Sequence, residues 1–152
     1  KEYFPMGDTD LISIYGFPKE VYNIVTSVSK RSGATEEELD EYFDKIKKNR
    51  LALTIKLADR SHNVEDLYVM KPEKLHKYVK ETREYVYPLA TYGKANYPEL
   101  SNGFTILKAK IVSLTECTET IINIYESELE ALRAELKEKD KIIANLKKDK
   151  ES

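Results

Sequence analysis

Apolar residues recur along the chain at intervals of three and four, the period of an amphipathic helix, and sustained two-residue alternation is rare. Pro18 sits where a first helical turn tolerates it. Val21, Ile24, Val25 and Val28 follow at helical spacing up to Ser32-Gly33, which predicts a first helix. Thr35 and Glu38 have the spacing of a capping box, and Leu39, Tyr42, Phe43 and Ile46 supply the apolar stripe of a second helix. Leu51, Leu53, Ile55, Leu57 and Ala58 have the density of a buried strand. Because the apolar positions run on through Val64 and Leu67, length decides for a helix over residues 50 to 69. Pro72 opens a fourth helix with Leu75, Tyr78, Val79, Thr82 and Val86 on one side, expected to end near Pro88. Tyr92-Gly93 to Tyr97-Pro98 is expected to be a connection, and Gly7-Asp8-Thr9-Asp10 a turn in a loop-like entry over residues 1 to 17.

From about Ser101 a single helix can run to the end of the chain, about 70 Å long at 1.5 Å per residue. Its distal half reads as a heptad seam of Ile122, Tyr125, Leu129, Leu132, Leu136, Lys139, Ile143 and Leu146, with the lysine as the one polar intrusion. A helix longer than the body beside it, with such a seam, predicts self-association. Leu and Ile at one seam position and Leu at the other favour a dimer. The expected fold is therefore all-α, with a helical domain over 1–120 and a C-terminal coiled-coil helix over 121–152, its last residues frayed.

Composition narrows the function. Twenty-five Lys and Arg against 27 Asp and Glu leave a formal charge of -2, so no overall field draws the chain to nucleic acid or to anionic lipid, and neither is expected as a partner. No apolar run approaches the roughly 18 residues needed to span a bilayer, and the start Lys1-Glu2-Tyr3-Phe4-Pro5 lacks the build of a signal peptide. A single cysteine, Cys117, fits a reducing compartment, so a cytoplasmic location is expected, with the thiol packed as a small apolar group. The first residue is Lys and not Met, so an N-terminus that has been processed, trimmed or recloned is expected. Phosphate-cradling glycine loops, paired cysteines of zinc spacing and Gly-x-Ser-x-Gly elbows are all missing from the sequence. The eleven tyrosines are expected to line the core with their hydroxyls at its rim; Tyr85, Tyr87 and Tyr92 have a second reading as a wall for base stacking.

The most informative stretch is Ile55-Lys56-Leu57-Ala58-Asp59-Arg60-Ser61-His62-Asn63. On a helix Lys56, Asp59, Arg60 and Asn63 share one stripe, either as a salt-bridged helix edge or as a set of functional groups. Lys56-Leu57-Ala58-Asp59-Arg60 followed by His62-Asn63 resembles the C-terminal signature of HD-domain phosphohydrolases, especially the hydrolase domain of the RelA/SpoT enzymes that remove pyrophosphate from guanosine tetra- and pentaphosphate. Gly7-Asp8-Thr9-Asp10 resembles the end of that family's His-Asp-x-x-Glu-Asp-Thr element, and Gly16-Phe17-Pro18-Lys19-Glu20-Val21 the opening of its next helix. Tyr85-Val86-Tyr87-Pro88-Leu89-Ala90 is similar to its tyrosine-proline-leucine stretch, so the resemblance covers about residues 5 to 100.

The resemblance implies an HD-like helical bundle, a phosphorylated nucleotide as ligand, and a divalent metal, usually Mn²⁺, with Asp59 as a metal ligand. It further implies that Asp8 is a catalytic residue helping to position the attacking water. Asn63 would contact ribose or phosphate-bearing groups, and Lys56 and Arg60 would neutralise phosphate charge. The family's His-Asp pair would fall at Tyr3-Phe4 and its catalytic Glu at Gly7, and the only histidines are His62 and His76, both downstream. Imidazole and carboxylate ligands are what bind a water-activating metal. Two readings follow: a Mn²⁺-dependent hydrolase whose missing ligands come from upstream sequence or a partner chain, or a catalytically inactive module that binds or sequesters a nucleotide.

Overall fold

The computed structural model describes residues 16, 18–30 and 33–150. Asp8 and the turn around it lie outside these residues. Every element among the described residues is helical, as expected: α1 (Lys19–Val28), α2 (Glu36–Lys47), α3 (Arg50–Asn63), a 3₁₀ segment (Val64–Val69), α4 (Pro72–Glu81), a π-helical turn (Thr82–Val86), α5 (Tyr87–Asn96), a 3₁₀ turn (Pro98–Leu100) and α6 (Ser101–Lys150). Among the described residues no helix is long and apolar enough to cross a membrane.

Local sequence sets where α2, α3 and α4 start. Thr35 Oγ1 accepts from the Glu38 amide at 3.2 Å and the Thr35 amide donates to Glu38 Oε2 at 2.9 Å, closing the predicted capping box of α2. Asn49 Oδ1 accepts from the amides of Leu51 and Ala52 and caps α3. Pro72 occupies the first turn of α4, where its missing N–H costs nothing.

α3 is the central element and packs on α1, α2, α5 and α6. It buries Ala52, Leu53, Lys56, Leu57, Arg60 and Ser61, so two cations lie within its inward face. Around it the core gathers Phe43 and Ile46 from α2, Leu75 and Val79 from α4, Leu89 and Ala90 from α5, and Phe104 and Ile111 from α6.

Four expectations are refined. The helix expected over 50 to 69 tightens into 3₁₀ geometry after Asn63, where Asp66 leaves helical torsions (φ -104°, ψ 15°) while Val64 and Leu67 stay buried. The helix from Pro72 does not end near Pro88. The chain widens into a π turn, in which the Tyr87 amide reaches back to the Thr82 carbonyl, and continues as α5 through the proline. Pro88 lacks an N–H and its ring crowds the carbonyl four residues earlier, so a wider turn there relieves the conflict without breaking the rod. Gly93, expected in a connection, lies inside α5 against Leu53 and Phe104. Cys117, expected to be packed, is exposed on α6.

α6 spans 50 residues, about 75 Å. Its first half is fastened to the body by Phe104, Ile111 and Leu114, by the Arg83 guanidinium pairing with Glu116 and Glu119, and by His76 Nε2 lying 3.1 Å from a Glu126 oxygen. Beyond Glu126 every side chain through Lys147 is exposed.

Candidate anion site beside α3

The inward face of α3 carries Lys56 and Arg60 one turn apart, 8% and 4% exposed. A buried guanidinium requires partners for its donors. Arg60 Nη1 donates to Thr82 Oγ1 at 3.0 Å and Nη2 to Glu81 Oε1 at 2.7 Å, and its carbon lies 4.1 Å from the centroid of the Tyr78 ring. The Thr82 hydroxyl passes the chain on to the Tyr78 carbonyl at 2.7 Å. Lys30, just past α1, pairs with the other Glu81 oxygen, Oε2. One carboxylate on α4 thus ties α3 to the segment after α1. Burial works to raise the Glu81 pKa, and its hydrogen bonds to Lys30 and Arg60 overcome this, leaving the group below its ordinary value.

Lys56 differs. Its ammonium stands 5.4 Å from the centroid of the Tyr42 ring, and among the described residues no carboxylate lies within ion-pair distance of it. Burial holds its pKa below the usual lysine range; the neighbouring charges of Arg60 and Lys30 push the same way, against the more favourable Asp59 and Glu81. The Tyr42 hydroxyl donates to the Val28 carbonyl at 2.5 Å, and burial raises its pKa, with Glu81 adding to the effect. The Tyr78 hydroxyl is buried with no hydrogen-bond partner among the described residues.

Beside this cluster a groove of about 510 Å³ opens between α1 and α2, with Tyr22, Asn23, Lys30, Tyr42 and Lys45 in its walls. Glu38 and Glu41 also face it, but Glu38 serves the capping box and Glu41 lies 3.6 Å from Lys45. A second groove, about 320 Å³ beside Tyr85 and Tyr92, is lined by Asp40, Asp44 and Glu84 with Lys47 alone in opposition, a charge balance that repels phosphate.

The four described signature residues are not brought together on one surface. Lys56 and Arg60 point into the body, Asn63 is half-buried, and Asp59 is exposed at the edge of the stripe. Asp59 is nonetheless close enough to act electrostatically on Lys56, Tyr42 and Tyr78. Among the described residues no group of three or more His, Cys, Asp or Glu side chains is placed to hold a metal ion, so those residues alone do not fit Mn²⁺ at Asp59. The three tyrosines with a stacking reading are divided among other tasks. Tyr85 stacks on Phe43 at 4.7 Å, Tyr92 meets Tyr97 edge-on at 6.4 Å, and the Tyr87 hydroxyl donates to Glu116 at 3.1 Å.

Sequence reasoning did not single out Lys30 or Glu81, and it placed Thr82 on the packed side of the fourth helix without a role in the site. A signal existed for Glu81, a carboxylate directly beside the apolar stripe of Leu75, Tyr78, Val79 and Thr82. Lys30 carries none, because its role depends on how α1 meets α4. Comparison with family profiles, with curated protein sequences and with solved structures finds no match to the chain.

Proposed function

We propose that the chain is an HD-like helical module of the cytoplasm that binds a phosphorylated nucleotide without hydrolysing it, and that pairs with a second copy through the distal half of α6. The observation that carries the first part is Lys56: a cation only 8% exposed, flanked by Lys30 and Arg60, with no carboxylate at ion-pair distance among the described residues. An arriving phosphate supplies the missing counter-charge, and charge-assisted hydrogen bonds to it contribute about 1.5–3 kcal/mol. Arg60 is committed to Glu81 and Thr82, and Lys30 to the other Glu81 oxygen, so these two position the cluster and Lys56 meets the phosphate. Tyr22 and Tyr42, in the wall of the adjoining groove, offer ring faces to the base. Asn63, half-buried at the end of the same helix, supplies an amide to the ribose or phosphate groups. Asp59 stands without companion ligands among the described residues, which favours binding over metal-dependent hydrolysis.

Titration calorimetry of the whole chain against guanosine, guanosine monophosphate, guanosine triphosphate, guanosine tetraphosphate and inorganic phosphate tests this reading, run with and without Mn²⁺ and followed by an assay for released pyrophosphate. The expected result is heat with phosphorylated members only, no pyrophosphate, and at least tenfold weaker binding by K56M, which is the loss of one charge-assisted contact. Silence across the panel, equal binding by K56M, or turnover with Mn²⁺ would each reject it.

A further inference from the structure

We infer that the distal half of α6 pairs with a second copy of the chain in the antiparallel sense, in the register that sets Leu129 against Leu146 of the second copy. This rests on the pairing proposed above and adds its direction. The seam is one continuous stripe. Phe104 and Ile111 share a heptad phase with Tyr125, Leu132, Lys139 and Leu146, and Thr115 shares one with Ile122, Leu129, Leu136 and Ile143; all three are at most 1% exposed because the body covers them. Ile122 is half-covered at the body's edge; from Tyr125 onward the same stripe is bare, with Leu132, Leu136 and Leu146 each more than 60% exposed. The described body has ended, so none of its described residues finishes what it began. A second copy carries an identical stripe and completes it.

Charge selects the direction. The positions flanking the seam are Glu126, Arg133, Asp140 and Lys147 on one side and Glu128, Glu135 and Ile142 on the other. A parallel pair sets Glu135 against Asp140 of the second copy, twice, and brings the two Lys139 ammonium groups face to face in a seam layer. Only Glu128 with Arg133 is favourable there. The antiparallel register faces Arg133 with Asp140 and Glu126 with Lys147, each twice, and has no like pair among these positions. Lys139 then lies over Leu136 of the second copy, while its ammonium keeps its partner Glu135, 2.6 Å away in its own chain. Shifting the antiparallel register by one heptad towards the body opposes Arg133 to itself and Glu126 to Asp140. A shift the other way opposes Asp140 to itself and Arg133 to Lys147. The body adds an independent constraint. In the chosen register Leu146 of the second copy stops at Leu129, clear of the covered stripe that ends at Ile122, whereas a register two heptads nearer would drive it onto buried Thr115.

Single-cysteine chains on a C117S background test the direction, with L129C and L146C expressed alone and together, gently oxidised, and the oligomer followed by sedimentation. A sedimenting dimer in which neither variant cross-links alone but the co-expressed pair does is the expected result, because antiparallel pairing holds the two copies of position 129 about 25 Å apart. Self-linking of L129C alone means parallel pairing and overturns the inference while sparing the pairing itself. A dimer that links in no combination overturns the register. A monomer at every concentration overturns both.

Discussion

At the scale of single residues, Lys56 and Arg60 sit one turn apart on one helix and have opposite energetic roles. Removing the Arg60 guanidinium strips Glu81 of its inner partner and leaves a carboxylate with only Lys30, while Thr82 loses a donor. R60M is expected to cost about 3 kcal/mol in urea denaturation. Lys56 has no such partner among the described residues and is buried as a cation, so K56M is expected to raise stability by about 1 kcal/mol near neutral pH. The sign of the pH dependence follows. The folded state binds the Lys56 proton less tightly than the unfolded chain, whose lysine has the ordinary value of 10.5. As pH rises towards 10.5 the unfolded state holds more protons, wild-type stability gains relative to K56M, and the advantage of the variant shrinks. An advantage that is absent at pH 7, or that grows with pH, would show that Lys56 is paired in the folded protein. A side chain whose presence costs stability and which, on the proposed function, holds the ligand follows the usual trade between fold and function.

At the scale of elements, Gly93 shows how a local reading can name the right residue and the wrong reason. Beside Tyr97-Pro98 it reads as loop punctuation, yet it is the point where α5 approaches α3 and α6 most closely. A Cβ there would stand 2.9 Å from Leu53 Cδ2 and 3.1 Å from two Phe104 ring carbons. Gly103, on the open side of α6, has nothing within 4 Å of the same hypothetical atom. G93A gains about 1 kcal/mol of helix propensity and loses about 1–3 to overpacking, a net destabilisation of about 1 kcal/mol. G103A keeps the propensity gain and is expected to raise the melting temperature by a few degrees. Thermal unfolding of the two variants side by side checks the pair, and a G93A at least as stable as wild type would refute the close approach.

The same contrast explains what the sequence disclosed. Capping at Thr35 and Glu38, the proline start of α4, the stripes of α2 and α4 and the length of α6 were legible because each depends on neighbours three or four residues away. The π turn before Pro88, the 3₁₀ segment after Asn63 and the packing role of Gly93 were not, because each answers to a contact made only after the helices meet. In the site, that Lys56 and Arg60 share a stripe was legible from spacing, but that both turn inward was not. That Asp59 turns outward depends on where the covered arc of α3 ends, which the flanking helices decide.

At the scale of the whole molecule, α6 has two regimes on one helix. Residues from Ser101 to Glu126 are held by the body, but beyond them about twenty residues have no tertiary support from the described chain. An isolated helical stretch of that length is marginal in water, because most helix stability in proteins comes from packing an apolar face. Intrachain pairs such as Lys139 with Glu135 and Lys141 with Glu138 are exposed, and each adds only a few tenths of a kcal/mol. On the proposed pairing the distal half owes its helicity to the second copy, so its protection is expected to follow mass action while that of the body does not. In a two-chain equilibrium a hundredfold rise in protein concentration lowers the dissociated fraction about tenfold. Amide hydrogen exchange over residues 127 to 147 is accordingly expected to slow about tenfold between about 1 and 100 μM when the dissociation constant lies below that range, with Phe104 and Ile111 unchanged. Distal amides that exchange at one rate throughout, fast or slow, would mean that the seam is unpaired or is covered from within the chain. A body that gains protection in step would place the interface on its surface instead of along α6.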